Sequence, residues 1–327
     1  MAHAQTTEFP HLKPRALRTR LKAIPWRDHV TYIAFVVIFG IFAIALGGQG
    51  FTSTPNLLNI LRQTAPITIM AVAMTFVIGS AQIDLSVGAL AGLTSVVTAL
   101  ALARFGLGAG IVAGTGTGLV VGALNGSLVA FAGIPSFLVT LGTLSVIFGG
   151  AQWVTQTLPV PIGNETYTSV FGGGDLGPVP SLILWSAVAA ILGHVVLRKT
   201  VFGRQALATG GNATAARFSG VNTRLVTFSV LTVMGAAAGL AGMLYAGRLH
   251  SGLFGIGQDD NLSVIAAVIL GGTSLFGGRA TVVGTIVASL LIGVINNGLI
   301  LLGLQYAQQL VVRGAIIVLA VALSRRH

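Results

Sequence analysis

Long apolar runs recur along this chain, first from about Val30 to Gly48, then near 58–80, 85–103, 107–131, 134–157, 181–197, 225–246, 262–277, 281–303 and 307–323. About 20 helical residues cross the hydrocarbon core of a bilayer, so these runs are of spanning length or close to it. Lipid leaves backbone polar groups no partner outside a helix or a closed barrel. Barrel strands alternate with period two and these runs do not, which predicts an all-α integral membrane protein of about ten transmembrane helices. The charge content agrees. Only 8% of the 327 residues are charged and 54% are hydrophobic, whereas a soluble domain carries about 25% charged residues. Disorder is excluded for the opposite reason, since it needs low hydrophobicity and high charge.

The few charges set an orientation. Cytoplasmic segments of membrane proteins collect lysine and arginine. With ten spans and a cytoplasmic N-terminus, the inner segments hold 14 of the 18 basic residues: six in 1–29, then Arg198, Lys199, Arg204, Arg217, Arg224, Arg279, Arg325 and Arg326. Four of the seven acids, Glu165, Asp175, Asp259 and Asp260, fall on the outer side. Both termini are therefore expected in the cytoplasm. The formal charge of +11 is a topology signal, and no coherent basic surface patch points to nucleic acid.

The chain has no cysteine and 45 glycines. The first fact excludes a disulfide framework, a thiolate metal site and a cysteine nucleophile. The second points to close helix packing. Gly114, Gly118 and Gly122 repeat every four residues on one helix face, the small-xxx-small spacing that lets membrane helices approach closely. The same stretch, GTGTGLVVG, lacks the preceding strand that a dinucleotide-binding glycine loop requires. Ala237, Gly239, Ala241 and Gly242 form a second small-residue surface. Breaks at Gly79 to Asp84 and at Gly271 to Gly278 interrupt apolar sequence and predict broken or re-entrant helices. Irregular backbone at that depth survives only when buried in protein or lining a cavity.

The longest inner segment, RKTVFGRQALATGGNATAARFSGVNTRL at 198–225, is either a basic connector that fixes topology or a docking surface. A short helix fits Ala213 to Ser219, with Asn212 placed to cap its start and Gly220 to end it. Phe202, Leu207 and Phe218 mix there with Arg204 and Arg217, as on a surface that meets a partner.

That segment, FGRQALATGGNATAARFSGV, resembles the coupling segment of bacterial ABC-transporter permeases of the ribose, xylose and galactose type. IDLSVGALAGL (83–93), LNGSLVAFAGIPSFLVTLGTLSVIFGG (124–150), IAAVILGGTSLFGGRATVVGT (265–285) and INNGLILLG (295–303) resemble further family motifs in the same order, so the likeness runs over about 55–323. The resemblance implies a type II ABC-importer-like permease bundle in the bacterial inner membrane: a basic cytoplasmic segment 1–29, a permease domain 30–323 with its coupling loop at 198–224, and a cytoplasmic tail 324–327. It implies partners: a cytoplasmic ABC ATPase, a periplasmic substrate-binding protein, a second permease copy and membrane lipid. It implies no cofactor on this chain, with ATP and Mg on the ATPase. Gly203, Arg204, Asn212, Ala215, Ala216, Arg217 and Gly220 are the expected coupling residues, and the cargo is a monosaccharide or similar carbohydrate moved by alternating access. The chain departs from the pattern at Ala81-Gln82, at Asn261, where glutamate is common and whose missing charge near the outer face counts against a binding-protein contact there, and at Ala280, where glycine is common and a tighter turn is expected.

Polar residues within the spans are candidates for the translocation path. Asp84 is one, although the residue preferences of helix starts favour a capping role before Leu85 or Ser86. Asn296, Asn297 and Gln308 suit sugar hydroxyls and equally suit bonds between helices. Arg313 sits too deep in the last run to snorkel easily. No histidine stands at metal spacing with suitable carboxylates. The chain contains neither a G-x-x-x-x-G-K-[ST] phosphate loop nor a G-x-S-x-G elbow. An ion-gradient-driven transporter or channel is the first alternative and calls for several intramembrane carboxylates, where only Asp84 is available. An integral-membrane enzyme is the second and lacks a catalytic constellation.

Overall fold

A computed structural model describes residues 30–177 and 179–324, and the side chains of all of these except Leu176, Arg313 and 317–324. The expected basic segment 1–29 and residues 325–327 of the expected tail lie outside the described residues. The helices are α1 (Val30–Leu46), α2 (Thr54–Gly79), α3 (Val87–Phe105), α4 (Leu107–Ala130), α5 (Ser136–Thr155), α6 (Glu165–Thr168), α7 (Ser181–Lys199), α8 (Val201–Gly211), α9 (Ala213–Phe218), α10 (Thr223–Leu249), α11 (Asp260–Leu270), α12 (Val282–Leu301) and α13 (Tyr306–Ser324).

Among the described residues, eight helices are long and apolar enough to cross a membrane: α1 to α5, α7, α10 and α12. The expected run at 262–277 is not a full helix. α11 ends after 11 residues, and the chain continues without helix through Gly271–Thr281. The cause is local: Gly272, Gly277 and Gly278 all take positive φ, which a right-handed helix cannot accommodate. The third helix starts at Val87 rather than at Leu85 or Ser86. The expected loop 198–224 is mostly helical, because α8 and α9 occupy it. Three glycines in α8 hide that helix from the sequence, since each lowers helix propensity by about 1 kcal/mol.

Local chemistry sets where these helices begin. Ser53 caps α2, its side chain accepting from Asn56 N, with proline in the first turn. Thr200 caps α8, Asn212 caps α9, Asn222 caps α10 and Thr281 caps α12. Each side-chain oxygen satisfies a backbone N–H that the helix itself leaves unpaired.

Packing then sorts the helices into centre and periphery. In α2 and α10, 83% and 56% of the spanning window is buried, against 6% in α1 and 17% in α7. The glycine stripe of α4 meets α10: a Cβ on Gly118 would lie 2.5 Å from the Gly235 carbonyl oxygen, and one on Gly122 would lie 2.8 Å from that of Leu231. Of the second small-residue surface, Gly239 faces this same interface, whereas Gly242 abuts Ala91 and Thr94 of α3. The apolar side chains on the far face of α4, such as Val112 and Val120, are exposed.

At the end of the bundle opposite α8 and α9, short strands close the loops. β1 (Val160–Pro161) pairs antiparallel with Ser251–Gly252, and Asp175–Leu176 pairs with Val179–Pro180. Tyr167 of α6 is buried there and donates to the Met243 carbonyl at 2.7 Å. Burial pushes its phenol above the usual range. Arg62 of α2 pairs with Asp175 at 3.0 Å, an exposed pair worth at most about 1 kcal/mol.

Candidate functional site: a helical module joined to two interhelical turns, and a polar cavity

α8 and α9 form a module that presents one face outward and joins the bundle with the other. Gly203 is buried in the α7–α8 corner, where its N donates to Thr200 Oγ1 and a Cβ would lie 2.3 Å from the Leu197 carbonyl oxygen. Ala206 and Ala216 are buried, while Arg204, Asn212, Ala215, Arg217 and Gly220 are exposed. Arg217 Nε donates to Thr223 Oγ1 at 3.1 Å, tying α9 to the first turn of α10. Gly220 takes φ +86 with open space around it. A side chain there meets no atom but strains the backbone by roughly 1–2 kcal/mol. Phe218 is 89% exposed, a large apolar side chain between basic residues.

The inner attachment is backbone against backbone. A Cβ on Gly210 would lie 2.0 Å from the Gly79 carbonyl oxygen and 2.9 Å from Gly278 N. Gly278 N in turn donates to that Gly79 oxygen at 3.0 Å. The end of α8 thus touches the end of α2 and the turn after α11, the two breaks that the sequence shows as separate. Around that turn, Ser274 N donates to the Arg279 carbonyl at 3.0 Å, and Phe276 projects outward, 84% exposed. Ala280 does more than tighten the turn: its methyl packs on the junction, 3.1 Å from where a Gly79 Cβ would be.

The first break, 80–86, is held by a buried polar chain. Ser86 N and Oγ both donate to Asp84 Oδ1, at 2.8 and 2.6 Å. Asn125 Nδ2 donates to Ser86 Oγ at 3.1 Å, and Thr143 Oγ1 donates to Asn125 Oδ1 at 2.7 Å. Leu85 N donates to Thr140 Oγ1 at 3.0 Å. Asp84 is 1% exposed and Asn125 0%, so the pair is set inside the fold at the start of α3. Asn261 also serves that start, accepting from Gly88 N at 2.6 Å. Residues 252–261 fold back along α3, with Gly257 O against Gly88 and Phe254 O against Gly92. Asn125 lies inside the 124–150 motif, but it has no charge to single it out as a site residue. Replacing Asn125 by leucine strands the Ser86 and Thr143 hydroxyls, and should lower stability by about 2–3 kcal/mol for buried groups left unpaired. Thermal unfolding in detergent, compared with Thr143→Val, measures it.

The remaining path candidates separate. Asn297 is buried and pairs reciprocally with Asn56, at 3.0 and 2.9 Å, joining α12 to α2. Gln308 is exposed, and its Oε1 accepts from Gln305 N at 2.8 Å at the start of α13. The side chain of Arg313 lies outside the described ones. Asn296 alone of the three amides lines a cavity, a space of about 330 Å3 between α2, α10, α12 and residues 255–260. Asn296 Oδ1 is buried and has no hydrogen-bond partner among the described residues. Gln63, Arg248, Asp259, Asp260 and Tyr306 share the lining. Tyr306 donates to Asp259, and Tyr245 to Asp260. None of these cavity residues beyond Asn296 stands out in the sequence, because they come from five separate segments.

Comparison with known proteins places this architecture among permeases. The family described as branched-chain amino acid transport system / permease component matches residues 56–321. A probable ABC transporter permease protein of Escherichia coli (strain K12) is 41% identical over 297 residues, covering 90% of this chain and 89% of the relative. A ribose import permease protein of Bacillus subtilis (strain 168) is 38% identical over 288 residues, covering 88% and 89%. A xylose transport system permease protein of Haemophilus influenzae is 32% identical over 364 residues, covering 92% and 97%. No solved structure matches the chain significantly.

Proposed function

The chain belongs to the branched-chain amino acid transport system permease component family, and from that premise we propose that it is the membrane-spanning subunit of an ATP-driven importer for a monosaccharide. Relatives named for ribose and xylose import align along nearly the whole chain and support the sugar class. As such a subunit it works in the inner membrane within an ABC transporter, with an ATPase and a substrate-binding protein. ATP and Mg belong to the ATPase chain, and hydrolysis is carried out there.

The finer reading assigns orientation and roles. The α8–α9 end faces the cytoplasm, which agrees with Arg198, Lys199, Arg204, Arg217 and Arg224 gathering there. The observation that carries the mechanism is the joining of α8, through Gly210, to the end of α2 and to the turn after the half-length α11. Two copies of the chain pair, each receiving one ATPase on α8–α9, with exposed Phe218 and the adjacent arginines as the contact. Closure of the ATPases on ATP displaces α8. Because Gly210 meets Gly79 and Gly278 without intervening side chains, that displacement reaches α2 and the turn after α11 together. Packed backbones shift as units rather than deforming continuously, so the bundle changes its opening.

Reconstitution with the partner ATPase and binding protein tests this. Gly220→Glu adds backbone strain and a negative charge beside Arg217. It should reduce ATP-driven uptake by between about 5-fold and 150-fold, the range that coupling energies usually carry. Normal uptake by that variant rejects the coupling assignment, and uptake that persists without ATP rejects the importer reading itself.

A further inference from the structure

The segment after α10 poses a structural problem. Residues 252–259 leave the outer strand pairing and run inward along α3, and α11 then starts below them as a half-length helix. Irregular backbone among spanning helices persists only when protein buries it or when it lines a cavity. Here one side is packed on α3 at Gly88 and Gly92, and the other side, at Gly255, Gly257 and Asp259, lines the 330 Å3 cavity. Broken helices with irregular backbone at membrane depth are where transporters commonly build substrate sites.

The chemistry of the walls is particular. Gln63 and Asn296 each offer a donor and an acceptor, Arg248 offers only donors, and the tyrosine hydroxyls, whose protons go to Asp259 and Asp260, keep acceptor capacity. Asp259 and Asp260 are each bound by a tyrosine hydroxyl. Asn296 Oδ1 is the exception, a buried acceptor with no donor among the described residues. A buried acceptor left alone is costly, and a ligand O–H resolves it. Apolar Ile67 and Ile256 share the wall with the polar groups, a mixture that suits a compact polyol. The volume sits at the small end of the roughly 300–1,000 Å3 range of small-molecule sites, so it takes one small solute and no oligosaccharide.

We propose that this cavity is a transit site for a single monosaccharide inside one copy of the chain, with Asn296 accepting from a sugar hydroxyl and Gln63 and Arg248 donating to others. The proposal rests on the sugar-importer reading and adds to it that the permease itself contacts the cargo.

The absence of cysteine makes a direct test simple. Asn296→Cys in the full chain, in membranes with its ATPase and binding protein, is exposed to a small water-soluble methanethiosulfonate reagent with and without ribose or xylose. Leu158→Cys, on an exposed turn outside the cavity, is the reference position. The expected result is labelling of Cys at 296 that ribose or xylose slows by about threefold or more, with labelling at 158 unaffected by either sugar; hydrogen bonds of ordinary strength give protection on this scale. Asn296→Leu and Asn296→Ser are then compared for uptake. The leucine variant should change the ribose-to-xylose uptake ratio and the serine variant should restore part of it, since serine keeps an acceptor. A purely structural amide would lower both sugars equally. No labelling at 296, labelling without sugar protection, or an unchanged ratio overturns the transit site. Those outcomes leave the importer reading intact, because that reading fails only if the wild-type complex shows no ATP-driven monosaccharide uptake.

Discussion

Gly210→Ala is expected to lower ATP-driven uptake sharply, although it adds a single methyl group. That methyl would lie 2.0 Å from the Gly79 carbonyl oxygen and 2.9 Å from Gly278 N. Both obstacles are backbone, so no side chain can swing aside, and α8 must separate from α2 and from the turn after α11. The neighbouring change, Gly211→Ala, places its methyl 3.5 Å from Gly278 Cα, an ordinary contact. Both substitutions raise helix propensity equally, by about 1 kcal/mol, so propensity cannot explain a difference between them. Uptake in reconstituted membranes should fall by more than about tenfold for Gly210→Ala, an effect of ordinary coupling size, and stay near wild type for Gly211→Ala. Pull-down of the ATPase by both variants separates lost transmission from lost docking. Equal uptake by the two would show that the junction carries no motion.

The second large effect concerns the bundle itself. Gly118→Leu should leave little folded protein, because its Cβ would lie 2.5 Å from the Gly235 carbonyl oxygen and 2.9 Å from Gly239 Cα. Overpacking usually costs about 1–3 kcal/mol when side chains can adjust. Here two helix backbones must part along their length, so the loss is larger. Gly116→Leu, two residues away on the same helix, meets no atom within 4 Å and should leave stability unchanged or raise it by up to about 1 kcal/mol, as leucine favours the helix. Size-exclusion profiles and thermal unfolding in detergent measure both. If Gly118→Leu is as stable as Gly116→Leu, then α4 and α10 do not pack through this stripe.

Much of the architecture could be read from the residues before any fold was known. Unbroken apolar runs require helices in lipid, and the spacing of Gly114, Gly118 and Gly122 marks a close-packed face. The Asn212 and Gly220 boundaries of α9 were visible because capping is local chemistry. α8 was not, because Gly203, Gly210 and Gly211 disguise it as a loop, although their role is contact with other backbones. The polar candidates divided in the same manner. An amide in a span looks alike whether it pairs with another amide, as Asn297 does with Asn56, or faces a cavity, as Asn296 does.

The sequence by itself determined what depends on near neighbours and on the solvent: a helical membrane protein, the places where its helices break, and the caps that start them. The motif order also marked the permease family. The tertiary structure decided what depends on residues far apart in the chain. It brought Gly79, Gly210 and Gly278 into one junction, made Asn261 the partner of Gly88, and gathered the cavity wall from five segments. The physical reason is that local hydrogen bonding and hydrophobicity act over a few residues of sequence. Close backbone approach and cavity shape instead arise from the packing of whole helices, which no single segment encodes.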